Sequence, residues 1–221
     1  MHARPTYDPP LRHVPRDSGF LCFSYIAAGL LLVIRDKVLC FWCLDVILRG
    51  ESNLSGNSLG MADYFKDNGM QMVMTDMKVC RQLLSRYKIL DDVAMMGGVE
   101  VPVMPYFDNQ FLTPWLMTLF SGPKGLCDGM PSATLFRIWD CIFSEGIKVV
   151  FRVVLVLIRR SPCVVTAENQ DEVMEECFSQ LQEVIQDSYD HEELLKEAFS
   201  LSSFKRSTIT ELRSKHKKYR Q

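Results

Sequence analysis

The sequence predicts an all-α fold, and three observations predict it. Across residues 111–160, apolar residues recur at the three-and-four spacing of a buried helix face. Clusters of Gly, Pro and Ser punctuate that stretch into helical segments. Residues 149–158 are apolar nearly all round, which in a globular chain marks a helix at the centre of a core. The composition agrees: 221 residues, 48% hydrophobic and 24% charged, can bury a substantial core and carry no bias toward disorder.

Taken in order, residues 1–19 carry Pro5, Pro9, Pro10 and Pro15 among charges and read as an extended leader. Residues 20–34 then follow without a charge. They fall short of the ~20 apolar residues that span a bilayer, and no small-residue cleavage site precedes Arg35, so the expectation is a buried helix rather than a membrane anchor. Asp36 is placed to cap a second helix whose apolar face is Phe41, Trp42, Leu44, Ile47 and Leu48. Residues 50–60, rich in Ser, Asn and Gly, read as a surface loop. Residues 63–87 form a helix with Met72, Val79, Leu83 and Leu84 inward, and Met70, Met72, Met74 and Met77 read as core filling. A short helix over 89–96 ends at Gly97-Gly98, and residues 99–105 connect onward.

The central stretch begins with a helix over 110–120, whose Phe111, Trp115, Leu116 and Leu119 share one face, stopped by Ser121-Gly122-Pro123. Pro131 restarts the chain as a helix bearing Leu135, Ile138, Trp139, Ile142 and Phe143, and Gly146 stands where a C-terminal cap belongs. Arg137 and Asp140, three apart beside Trp139, read either as a solvated ion pair or as a clamp in the core. Beyond Ser161-Pro162 an acidic helix carries Val173, Met174, Phe178, Leu181 and Ile185 on its inner face. Leu194, Leu195, Ala198 and Phe199 mark the next helix. The last has Ile209, Leu212, His216 and Tyr219 among Arg213, Lys215, Lys217, Lys218 and Arg220. The acidic and basic segments read as solvated faces that pair with one another, with contact to an anionic membrane as the alternative.

Several function classes fall away. A formal net charge of −2 gives no reason to invoke nucleic acid. Eight scattered cysteines (22, 40, 43, 80, 127, 141, 163 and 177) read as buried reduced thiols. Cys40 and Cys43 form a CxxC, but no second pair or suitably spaced histidine accompanies it, so no metal or other cofactor is expected. Residues 121–125, SGPKG, lack the GxxxxGK[ST] of a phosphate loop. The four histidines (2, 13, 191 and 216) lie outside the central helices, and no nucleophile elbow or core carboxylate pair occurs there.

The runs WLMTLF and TLFRIWDCIFSEGIKVVFRVVLVLI, with aromatic, charged and glycine positions in order, resemble the second half of a TBC domain, the Rab-GTPase-activating fold. Tyr25-Ile26-Ala27-Ala28-Gly29-Leu30-Leu31 resembles a helix of the same family, and the tail order ELL, AF, I, LR resembles its end. The resemblance thus covers residues 18–221 and implies a multi-helix domain that docks on a Rab-type small GTPase. It assigns Trp115, Arg137, Trp139, Asp140 and Gly146 to holding that fold.

In the family, GTP hydrolysis is accelerated by an arginine in I-x-x-D-x-x-R, a contribution worth about 10³–10⁵ in rate, and by a glutamine that orients the attacking water. Laid on this chain, the glutamine motif falls on residues 19–24, with Leu21 at the glutamine position. Leucine offers neither donor nor acceptor. The arginine motif precedes the glutamine by several helices of about 11–12 residues each, more chain than the leader holds. Arg12 and Arg16 are the leader's arginine candidates, and two prolines distort the nearest D-x-x-R match. The resemblance therefore implies a domain truncated at its front and impaired in catalysis. Two alternatives stand beside it: an active activator whose N-terminal half lies outside this chain, and a helical adaptor anchored through residues 20–34. The expected setting is cytoplasmic and peripheral on endomembranes, with self-association through the apolar surface that a missing front would leave open.

Overall fold

The computed structural model describes residues 19–49, 61–65, 69–89, 108–122, 128–161, 170–201 and 204–218. Among them lie α1 (Gly19–Ile34), α2 (Lys37–Arg49), α3 (Gly69–Arg86), α4 (Thr113–Thr118), α5 (Ser132–Glu145), α6 (Lys148–Arg160), α7 (Gln170–Gln186), α8 (His191–Ser200) and α9 (Arg206–Lys218). A 3-10 turn, Met61–Tyr64, precedes α3, and a π-turn, Asp108–Leu112, leads into α4. No strand occurs among the described residues. Of the expected leader over 1–19, residues 1–18 lie outside them and Gly19 instead opens α1; the loop over 50–60, all but Ile89 of the short helix over 89–96, and the connector over 99–105 also lie outside them.

The all-round apolar segment becomes α6, and Val149 through Ile158 are all buried. Helices α3, α4, α5, α7 and α8 pack around it. Capping follows the chemistry of the termini. The Asp36 carboxylate accepts the backbone N–H groups of Val38 (2.8 Å) and Leu39 (3.0 Å), satisfying two orphan donors of α2. Asp190 does the same for α8, accepting from Glu193 N–H at 2.9 Å. Pro131 stands just before α5 with an extended ψ of 130°, so the helix starts one residue later than a first-turn proline would place it. Gly146 closes α5 at φ 83°, its N–H donating to Ile142 O at 2.7 Å. A side chain there would be strained, which is why glycine occupies the position.

Three expectations are corrected. First, α1 is not a buried helix: Ile26 and Leu30 face the core, but Leu31, Leu32 and Val33 stand exposed. A helix hydrophobic on every side satisfies only the side its neighbours cover. Second, the helix over 110–120 is divided. The π-turn ends at Leu112, α4 stops at Thr118, and Leu119 (φ 50°) and Phe120 (φ 66°) adopt left-handed backbone before Ser121-Gly122 is reached. Third, the methionine stripe of α3 is not all core: Met77 is buried, Met72 half-buried, and Met70 and Met74 exposed. Moreover, α3 begins at Gly69 rather than near residue 63.

Candidate functional site

The tertiary structure gathers the central stretch around Trp139. Its indole N–H donates to Leu119 O at 2.8 Å. The left-handed pair at Leu119 and Phe120 turns that carbonyl outward from the ladder of α4 while burying both side chains. Such backbone costs about 1–2 kcal/mol per residue and persists where packing and a specific hydrogen bond hold it. Across the ring, Gly29 of α1 approaches so closely that a Cβ there would lie 2.7 Å from Trp139 Cη2. Phe136 meets the same ring edge-on, centroids 5.9 Å apart. Trp115 is fully buried one layer away, tilted against Phe111 and Phe120. The helix that carries Leu21 is thereby fixed to the helix that carries Trp139. Leu21 itself falls in the first turn of α1, while Arg12 and Arg16 lie outside the described residues.

Arg137 and Asp140 stand on the surface, and the reading of them as a clamp in the core is corrected. Their side chains retain 43% and 67% of their exposure, and they meet at 3.4 Å. Arg137 also reaches Glu192 at the start of α8, at 3.1 Å. These hydrogen bonds, that to Glu192 first, raise the Arg137 pKa. In α5 the three-residue spacing of Arg137 and Asp140 puts both on the face opposite Ile138 and Ile142, so water reaches them. Screened pairs of this kind contribute little to stability.

The buried ionic groups lie elsewhere. Asp76 of α3 is fully buried and accepts from Arg213 Nε (2.7 Å) and Nη2 (2.6 Å) of α9. The Tyr64 hydroxyl donates to the same carboxylate. Burial, with the Asp76 charge beside it, pushes the Tyr64 phenol well above its ordinary value. The basic final helix therefore sends its partly buried Arg213 to α3 rather than to the acidic helix α7. Arg152, on the otherwise apolar α6, donates to Ala198 O (3.3 Å) and Phe204 O (3.1 Å) between the rings of Phe199 and Phe204. At the C-terminal end of α6 the acidic partner is on α8: Glu197 takes two hydrogen bonds from Arg160, at 3.1 and 3.0 Å. Those bonds hold its carboxyl below the usual range.

Sequence reading passed over Asp76, Arg213 and Arg152 as sites of tertiary contact. Arg152 carried a signal, a lone charge inside an apolar run. Asp76 and Arg213 are 137 positions apart and carried none.

Among the described residues no cluster of three or more His, Cys, Asp or Glu could hold a metal ion. Of the described cysteines, Cys40, Cys80 and Cys177 are buried and Cys22, Cys43 and Cys141 partly so. No described helix is long and apolar enough to cross a membrane.

Comparison with known proteins places this architecture. The model of the Rab-GTPase-TBC domain matches residues 23–162, from just after Leu21 through the end of α6. Growth hormone-regulated TBC protein 1 of Mus musculus is 32% identical over 143 residues, 65% of this chain and 34% of that protein. Its counterpart in Xenopus tropicalis is 30% identical over 198 residues, 88% of this chain and 50% of that one. TBC1 domain family member 10B of Homo sapiens is 26% identical over 185 residues, 84% of this chain and 20% of its own length. The chain thus spans half or less of each of these relatives. No solved structure matches it. With the family match running from α1 through α6, the chain belongs to the Rab-GTPase-TBC domain family.

Proposed function

We propose that this chain docks on a Rab-type small GTPase as a scaffold in vesicle trafficking, without accelerating GTP hydrolysis by itself. The observation that carries the reading is the pairing of a family match over residues 23–162 with a leucine at position 21, where the resemblance puts the water-orienting glutamine. A leucine side chain has no group that holds a water in line. Trp115, Trp139 and Gly146 keep the helices in place, and Arg137, paired with Asp140 on α5, reaches Glu192 of α8 at the surface. In this reading the protein works in the cytoplasm, peripherally on endomembranes, and associates with itself through its exposed apolar surface.

Two measurements on the full chain test the docking. Beads bearing Rab proteins loaded with a non-hydrolysable GTP analogue retain it in preference to GDP-loaded ones; equal retention in both states refutes the proposal. Single-turnover hydrolysis on the same panel stays at the intrinsic rate. Acceleration approaching the roughly 10³–10⁵-fold of an arginine finger would instead make the chain an activator in its own right.

A further inference from the structure

Helix α9 is attached differently from the helices around α6. Among the described residues it packs chiefly against α3. Ile209 and Leu212 are the only aliphatic residues in its 13 positions, and both are buried. Helix α6, of the same length, buries every residue from Val149 to Ile158. Both partners in the α3–α9 seam are basic. Asp76 is the only acid in α3, beside Lys78, Arg81 and Arg86. In α9, Glu211 stands against Arg206, Arg213, Lys215, Lys217 and Lys218, and pairs within its own helix with Lys215 at 3.0 Å. Two cationic helices are thus closed on one another at a buried point: Arg213 forks onto Asp76 and lies over the Phe151 ring. A contact between His216 and Gln82, at 3.1 Å, adds an exposed rim.

The start of α9 is held by other means. Phe204 is buried, its ring stacks on Tyr87 of α3 with centroids 6.1 Å apart, and its carbonyl accepts from Arg152. The same guanidinium holds Ala198 O near the end of α8, and Arg206 reaches Glu145 O at 3.4 Å. The chain is therefore fixed just before α9, and the pair on Asp76 lies more than two turns beyond that point.

We infer that α9 is a strap: it opens from α3 as a unit about the fixed point at Phe204 while the helices around α6 keep their fold, and the Arg213–Asp76 pair is its lock. An element with few buried apolar contacts opens below the free energy of global unfolding. A buried ion pair depends on the exclusion of water, so it is either made or lost and gives the strap two positions. Opening changes what α3 presents. Asp76 and Gln82, which α9 reaches, lie on either side of Val79 and Leu83 around the helix, and both of those are fully buried. The seam is an aliphatic strip with a carboxylate at its edge. It fits a basic amphipathic helix, and its occupant is α9 itself. The strap is independent of the GTPase docking proposed above.

Hydrogen exchange of the full chain at neutral pH, read by mass spectrometry, tests it. The α9 amides exchange through an opening that those of α6 do not share. Arg213→Met speeds α9 exchange at least about 100-fold, the factor expected for breaking a buried pair. Ile209→Ala removes an aliphatic contact and no charge, and speeds α9 at least about 10-fold; it keeps the test decisive if Arg213→Met does not fold. Trp139→Phe separates strap from core, because the partners of Trp139 (Leu119, Gly29 and Phe136) all lie outside α9. It speeds α6 exchange at least about 30-fold and leaves α9 at the parent's rate. An α9 that exchanges in step with α6 in the parent and follows it in Trp139→Phe opens only with the whole fold, which overturns the strap. An α9 rate unmoved by Arg213→Met overturns the lock, and one unmoved by Ile209→Ala overturns the seam as the surface that opens.

Discussion

Replacing Arg213 with methionine probes the link that fastens the last helix to the rest of the fold. Arg213 makes two charge-assisted hydrogen bonds to Asp76, at 2.7 and 2.6 Å, and its guanidinium lies 6.0 Å from the Phe151 ring. Methionine keeps much of the stem that packs there but leaves Asp76 with the Tyr64 hydroxyl in place of a cation. The partners are unequal: the Arg213 side chain keeps 23% of its exposure, Asp76 none. Breaking a buried pair on the arginine side strands a charge that cannot reach water, a loss of about 3–5 kcal/mol. For a domain of this length each kcal/mol is worth roughly 2–4 °C, so the melting temperature falls by about 10 °C. Asp76→Leu costs less on electrostatic grounds, because the freed guanidinium can turn to solvent. Combining the two changes recovers on the order of 2–3 kcal/mol relative to their sum. Urea melts of the parent, both single variants and the double variant, followed by far-UV circular dichroism, measure this. A loss below ~1 kcal/mol for Arg213→Met, or additive single and double effects, would refute the reasoning.

Other perturbations follow from the same packing. Gly29→Ala sets a methyl 2.7 Å from Trp139 Cη2, whose ring is pinned by its bond to Leu119 O, and costs about 1–3 kcal/mol in a thermal melt. Trp139→Phe leaves the buried Leu119 carbonyl without its indole donor and opens a void, for a loss of about 2–4 kcal/mol by denaturant titration. Tyr64→Phe removes one donor from the Asp76 carboxylate and costs roughly 1.5–3 kcal/mol, less than Arg213→Met in the same assay. Arg160→Met tests linkage. Because Arg160 holds the folded Glu197 below the ordinary glutamate value of 4.5, the contribution is complete above that pH and is lost as pH falls through the folded value. Glu197 is about a third exposed, so the difference between parent and variant is small at neutral pH and vanishes in acid.

What the sequence by itself determined is the helical class, the position of the central helix and the family. Each of these is local or additive information. The apolar period of residues 135–143 and the all-round apolar run of 149–158 state which sides must be buried, whatever covers them. The caps at Asp36 and Gly146 depend only on residues within a turn. The tertiary structure alone decided which apolar sides find a cover and which charges find each other. The uncharged run of residues 20–34 read as a helix of the interior, yet burial belongs to pairs of surfaces, and the outer half of α1 has no described helix above it. Likewise Arg137–Asp140, neighbours in sequence, ended in solvent, while Asp76 and Arg213 met in the core. A charge pair's worth is set by the dielectric around it, and that is a property of the packed fold rather than of spacing along the chain.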